Sequence, residues 1–173
     1  MTKKPRGLIL DLDQTMVDSR CAKALRSQRD WRSVDLLIPR FIVAPGAIEL
    51  GRIKDLKIAV VTKSPATYAR KVLQHFGIRS DALVGYHDAS PRKPHPAPTA
   101  KALELLDLSP HDVWAAGDHA DDLLSARAAG ISVLIGVTDW TDSEAGLALA
   151  RPTVNVRHLG VVVELLRRPL KQP

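Results

Sequence analysis

The stretch Gly7-Leu8-Ile9-Leu10-Asp11-Leu12-Asp13-Gln14-Thr15 runs from an apolar, β-rich segment straight into two carboxylates two residues apart. Like charges side by side repel, so such a pair at a strand terminus needs a cation or a shared proton. Five more apolar runs follow, at 57–62, 82–86, 113–117, 131–137 and 153–156. They are nearly continuous rather than alternating, as a sheet covered on both faces requires. Helical patterns lie between them, over 65–76, 98–106, 121–129 and 159–168. Ser64 stands as N-cap with Pro65 at the first helical position, and Gly77 and Gly130 stop their helices. The alternation predicts right-handed crossovers and an α/β fold: a doubly wound parallel sheet in a three-layer α/β/α, Rossmann-like arrangement. Ligands of such sheets bind at the carboxyl ends of the strands, where the strand order switches.

The other strand ends therefore matter most. The second long run ends in Thr62-Lys63-Ser64, and another ends in Gly117-Asp118, followed by Asp121 and Asp122. Between them, Ser90-Pro91-Arg92-Lys93-Pro94-His95-Pro96 holds a lysine in a stiff, proline-bracketed loop. In a parallel sheet all four segments come to one edge. Hard carboxylate oxygens with no nearby cysteine suit Mg²⁺, which takes one or two protein carboxylates plus water and phosphate oxygens. A carboxylate beside a metal and a lysine can act as a nucleophile, and a second one nearby can act as general acid and then general base. Plainer roles compete. Acids favour a helix's first turn, which accounts for Asp121, and Thr62 shares with Ser64 the capacity to cap a helix. His119, between acids at the site edge, is placed where it can touch substrate.

Composition bounds the function. The 173 residues fit one domain, with 45% hydrophobic and 25% charged residues. One cysteine excludes a disulfide framework and a Cys-rich zinc site, and Cys21 reads as a small buried apolar residue. No apolar run approaches a membrane span, and the N-terminal stretch does not read as a signal peptide, so a cytoplasmic, soluble protein is expected. The net charge of +6 raises nucleic acid as a partner. That charge is uneven: residues 20–40 hold six basic and two acidic residues, whereas residues 41–150 hold eleven basic and thirteen acidic. The site region is thus acidic, with basic surroundings that help hold a phosphate-bearing substrate.

Residues 16–44 break the strand–helix rhythm and read as a short helical insertion over the strand ends, with Cys21, Ala24, Leu25, Gln28 and Trp31 as a helix face. Its Arg20, Lys23, Arg26, Arg29 and Arg32 are spaced three apart. Each such step moves back about 60° around an α-helix, so the five cannot share one ligand, although neighbouring pairs can grip a second anionic group.

Together these segments resemble the haloacid dehalogenase superfamily of phosphatases, through a DxDxT signature at 11–15, a Thr62 after a hydrophobic strand, Lys93 in a K-P-x-P loop, and a GDxxxD at 117–122. The stretch 92–130 most resembles the phosphoglycolate-phosphatase-like branch. The resemblance implies a single core domain over 1–173 and a Mg²⁺-dependent phosphatase working through an aspartyl-phosphate. It implies Asp11 as nucleophile, Asp13 as general acid and base, Thr62 as a phosphoryl ligand and Lys93 as charge neutraliser. Asp11, the Asp13 backbone carbonyl, Asp118 and Asp122 would hold the metal, with Lys63, Ser64 and His119 near the substrate. The branch usually carries a full helical cap after the first motif, whereas 16–44 allows only a stub. Such cap-poor relatives act on large substrates or borrow a lid from a neighbouring subunit. A phosphorylated small molecule, a larger phosphate-bearing substrate, and nucleotide or nucleic-acid phosphate ends are the candidate substrates. The competing class is a receiver-type domain that keeps its aspartyl-phosphate without turnover.

Overall fold

The computed structural model of the chain describes residues 4–167. In chain order the strands are β1 (Gly7–Leu10), β2 (Val17–Asp18), β3 (Ile42–Val43), β4 (Lys57–Val61), β5 (Ala82–Val84), β6 (Val113–Gly117), β7 (Val133–Val137) and β8 (Val154–Val156). The α-helices are α1 (Lys23–Ser27), α2 (Trp31–Leu37), α3 (Ala47–Leu50), α4 (Ala66–Phe76), α5 (Ala97–Leu106), α6 (Ala120–Ala128), α7 (Glu144–Leu149) and α8 (Leu159–Arg167).

Six strands form one parallel sheet in the order β5-β4-β1-β6-β7-β8. Successive side chains alternate between its faces. Leu8, Leu10, Ile58, Val60, Trp114 and Ile135 belong to one core, which α3, α4 and α8 cover through Leu50, Val72 and Val162. Ile9, Ala59, Val61, Ala115 and Leu134 belong to the other, closed by α5, α6 and α7 through Leu103, Leu123 and Leu147. Both faces are dry, so the strands must read as continuous apolar runs. The chain leaves β1 for β4 and β5 on one side, then crosses back to β6, β7 and β8 on the other. The order therefore switches around β1. Leu10 pairs with both Val60 and Ala116, so β1, β4 and β6 end at one level.

The first strand ends at Leu10, before the two carboxylates. The Leu12 carbonyl accepts from the N–H groups of Met16 and Val17, turning the chain out of the sheet. Helix α4 starts from Pro65, whose extended ψ of 141° leaves no side-chain cap, and the Ser64 hydroxyl is engaged elsewhere. Gly77 (φ +62°) and Gly130 (φ +92°) stand just past α4 and α6 in the left-handed region, as helix stops require. Helices α3 and α7, each under two turns, carry too little periodicity to stand out. The last helix is described to Arg167, and position 168 of its expected span lies outside the described residues.

Residues 16–44 add no strand to the sheet. β2 and β3 pair with each other, antiparallel, as a two-stranded sheet of their own that brackets α1 and α2. The expected helix face does not form, because α1 ends at Ser27 and Arg29 takes a left-handed φ of 58°. Cys21 is exposed rather than buried. Among the described residues no helix is long and apolar enough to cross a membrane.

Candidate active site

Asp11, Thr62 and Asp118 each stand just beyond a strand, at the ends of β1, β4 and β6. Lys93 reaches them from the loop before α5. Its buried ammonium donates to Asp11 Oδ1 at 2.7 Å, to Asp122 Oδ1 at 2.6 Å and to the Val61 carbonyl at 2.8 Å. All three ammonium protons are thereby used. The Thr15 hydroxyl donates to Asp118 Oδ1 at 3.0 Å, and Thr141 donates to the Asp118 carbonyl at 2.6 Å.

Asp11, Asp118 and Asp122 each offer a carboxylate oxygen within 4.8 Å of the other two. One buried lysine cannot balance three acids. Burial pushes the Asp11 carboxyl up to about 7 against the pull of Lys93, with Asp122 and Asp13 adding to the rise. Burial likewise raises Asp118 to about 8, reinforced by Asp11 and Asp122 and opposed by the Thr15 hydrogen bond. Burial alone would lower Lys93, but the facing Asp11 and Asp122 outweigh it and hold the ammonium above its ordinary range. A crowded, all-oxygen donor set with excess negative charge fits a hard divalent cation.

Asp13 is not one of these three carboxylates. Its Oδ1 accepts from the Ser19 and Tyr68 hydroxyls, the latter at 2.8 Å, and its Oδ2 accepts from Ser64 at 2.9 Å. Arg26 Nη1 lies 2.8 Å from the same Oδ2. Asp13 is 8% exposed, so four donors replace the water it has lost. The Ser64 hydroxyl thus serves Asp13 rather than helix α4.

Thr62 is buried, and its Oγ1 accepts from the Ser64 N–H at 3.0 Å. Lys63 is half exposed and pairs with Asp121. His119 lines the cavity, but its Nδ1 accepts from the Asp121 N–H at 3.2 Å, while its own N–H donates to Asp122. It caps α6 and steadies Asp122. Gly117 permits this closeness, since a Cβ there would meet the Asp122 Cβ at 2.5 Å.

These groups open on one cavity of about 450 Å³ that runs from Asp11, Asp118 and Asp122 outward to Lys23, Arg26 and Arg29. Three of the five evenly spaced basic residues therefore reach one cavity, because the helix stops early instead of winding them around its axis. The sequence reading missed Thr15, Ser19, Arg26 and Tyr68 as site residues. Thr15 lay within the quoted signature, whereas nothing in the sequence marks Tyr68, one turn past Ser64, as a partner of Asp13.

The fold and this strand-end cluster define a Rossmann-like α/β core with an acidic, oxygen-lined edge suited to a divalent cation. The family model of the haloacid dehalogenase-like hydrolases matches residues 48–136, and the chain belongs to that family. Among curated relatives, the phosphoglycolate phosphatase of Pasteurella multocida is 35% identical over 101 residues, 57% of this chain and 45% of that protein. The phosphoglycolate phosphatase of Escherichia coli is 25% identical over 135 residues, 77% and 52% of the two chains. The chain spans about half the length of the curated relatives it matches. Among solved structures, a hydrolase from Pseudomonas syringae superposes with a TM-score of 0.77 at 19% identity, covering 92% of this chain and 97% of that one. CbbY from Rhodobacter sphaeroides, solved in complex with phosphate, gives a TM-score of 0.74 at 15% identity, covering 90% and 95%. Both carry the same fold.

Proposed function

We propose that the chain is a Mg²⁺-dependent phosphomonoesterase that works through a phosphorylated Asp11. The observation that carries this reading is the Lys93 ammonium shared by Asp11 and Asp122 beside Asp118. The lysine pairs with Asp11 through Oδ1, and Asp11 lines the cavity at the end of β1.

Asp11, Asp118 and Asp122, with the Asp13 backbone carbonyl as a further donor, would hold Mg²⁺, which would supply charge neutralisation for the phosphoryl oxygens. Asp11 attacks phosphorus as the ester P–O bond breaks, and Asp13 gives its proton to the leaving oxygen. Asp13 then takes a proton from water as that water attacks phosphorus, and the P–O bond to Asp11 breaks to release phosphate. Lys93 neutralises charge on Asp11 and the phosphoryl group, and Thr62 hydrogen-bonds a phosphoryl oxygen. Lys63, Ser64 and His119 stand around the substrate.

Residues 16–44 act as a reduced cap on a single core, and the enzyme works in the cytoplasm. The relatives' names point to small phosphate esters, while the short cap leaves the leaving group less enclosed, with room for a larger substrate. Phosphate release from an aryl phosphate tests the reading. Turnover that requires Mg²⁺ and stops with a chelator is expected; multiple turnover unaffected by chelation overturns it.

A further inference from the structure

Gln14 takes a left-handed φ of 64°, a conformation that suits glycine and strains a residue with a side chain. It is also 8% exposed, so its amide has left water and needs partners. The turn after Asp13 uses only the backbone here, where the Gln14 N–H donates to the Val17 carbonyl at 2.7 Å. A glycine would serve that turn without the strain. What the glutamine adds at this position is its side chain.

Both ends of the amide are used. Nε2 donates to Ser19 Oγ at 3.1 Å, and Oε1 accepts from Arg26 Nη2 at 3.3 Å. The direction of the amide is fixed, because a guanidinium only donates and must face the oxygen. Nε2 then faces Ser19, whose Oγ accepts on that side and sends its one proton to Asp13 Oδ1. Arg26, held through Nη2, presents Nη1 to Asp13 Oδ2 at 2.8 Å. One amide thus orients two of the four donors around Asp13, one on each carboxylate oxygen. Ser64 and Tyr68, the other two, arrive with the start of α4. Gln14 therefore governs the half of the ring that residues 16–44 contribute.

We infer that Gln14 is a positioning residue for the reaction: its amide aligns Ser19 and Arg26 so that they hold the Asp13 carboxyl in place at the cavity wall, where the leaving oxygen is protonated. This rests on the phosphatase reading of Asp13, which lines the cavity. A misplacement of about 1 Å in such a group costs on the order of 10²-fold in rate. Residues 16–44 then serve the chemistry as the mounting of the acid, through Ser19 and Arg26, as well as covering the strand ends.

The test compares an alkyl phosphate, whose leaving oxygen needs a proton, with nitrophenyl phosphate, whose leaving group needs little protonation, with Mg²⁺ present. Gln14→Gly, which relieves the left-handed φ, should lower kcat on the alkyl ester by at least about tenfold more than on the nitrophenyl ester, with KM little changed. Gln14→Met keeps the length of the side chain, deletes both hydrogen bonds and should show the same split. A merely structural glutamine would lower both esters alike. An equal loss on the two, or no loss in either variant, overturns the inference. Where the wild type does not turn over both esters, urea unfolding decides, and hydrolysis of neither also fails the phosphatase reading. The midpoint shift caused by Gln14→Gly should shrink in the Asp13→Asn background, because the two donors then have no carboxylate to serve. Equal shifts in the two backgrounds refute the positioning role.

Discussion

Lys93 Nζ stands 2.7 Å from Asp11 Oδ1, at the centre of the sheet edge and almost out of contact with solvent. The pair spans two distant stretches of chain, joining the end of β1 to the loop before α5. Breaking a buried pair leaves an uncompensated charge, which costs about 3–5 kcal/mol. Lys93→Met should therefore lower stability in urea unfolding by that order. It should also reduce phosphate release by roughly 10²–10³-fold, the scale of losing one preorganised charge. Lys93→Arg should not rescue activity, since a planar fork cannot reproduce three donors converging from one nitrogen.

Acidity of the metal-free site should show in stability. Asp11 at about 7 and Asp118 at about 8 lie above the ordinary 3.8, so both are raised by folding. Groups raised in this way stabilise the fold fully below about pH 4, and that contribution fades as pH climbs through their folded values. The Tm of chelator-treated protein should accordingly fall between about pH 4 and pH 8. A bound cation displaces those protons, so the stabilisation by Mg²⁺ should grow across the upper part of that window. Thermal melts with chelator and with Mg²⁺ at stepped pH check this; a gap that stays constant contradicts it.

Gly117 gives a way to disturb the cluster without removing a carboxylate. The Cβ added by Gly117→Ala would meet the Asp122 Cβ at 2.5 Å and must push that side chain away. The concentration of Mg²⁺ needed for half-maximal activity should rise about tenfold or more, as when a metal ligand's support is lost. A Mg²⁺ titration of activity measures it, with circular dichroism confirming the fold.

Tyr68 is 1% exposed and donates to Asp13 from within the core, packed against Trp31 at 5.3 Å between ring centroids. Tyr68→Phe keeps the ring and deletes the donor, so the buried carboxylate loses one of its four partners. A loss of about 1–3 kcal/mol in unfolding free energy is expected. Ser64→Ala, which removes the donor to the other Asp13 oxygen, should act in the same direction. Unfolding of the double variant should cost less than the sum of the two, because both act through one carboxylate.

The parallel sheet and its edge were legible because strand-end acids, a threonine and a loop lysine betray themselves locally. An apolar run of the right length becomes a buried strand, and its next residue must face the edge. Asp11, Thr62 and Asp118 follow strands in this way, and the structure brings Lys93 and Asp122 beside Asp11. Arg26, Ser19 and Tyr68 were not legible, because their role is a meeting with Asp13 that no local pattern encodes. The five basic residues of 16–44 do not all reach one cavity, as their spacing implied, but the reason differs. Regular spacing was projected onto a continuous helix, whereas α1 spans only Lys23–Ser27 and the left-handed Arg29 returns the chain to the cavity. The Ser64 cap was misplaced because Asp13, 51 residues away in sequence, takes its hydroxyl.

Asp11 is expected to carry the phosphoryl group. Rapid acid quench during turnover of an aryl phosphate with Mg²⁺, followed by mass analysis of the peptides, tests it directly. A single phosphoryl adduct on the peptide containing Asp11, absent from the inactive Asp11→Asn protein, is predicted. An adduct on another peptide, or sustained phosphate release by Asp11→Asn, would contradict the account.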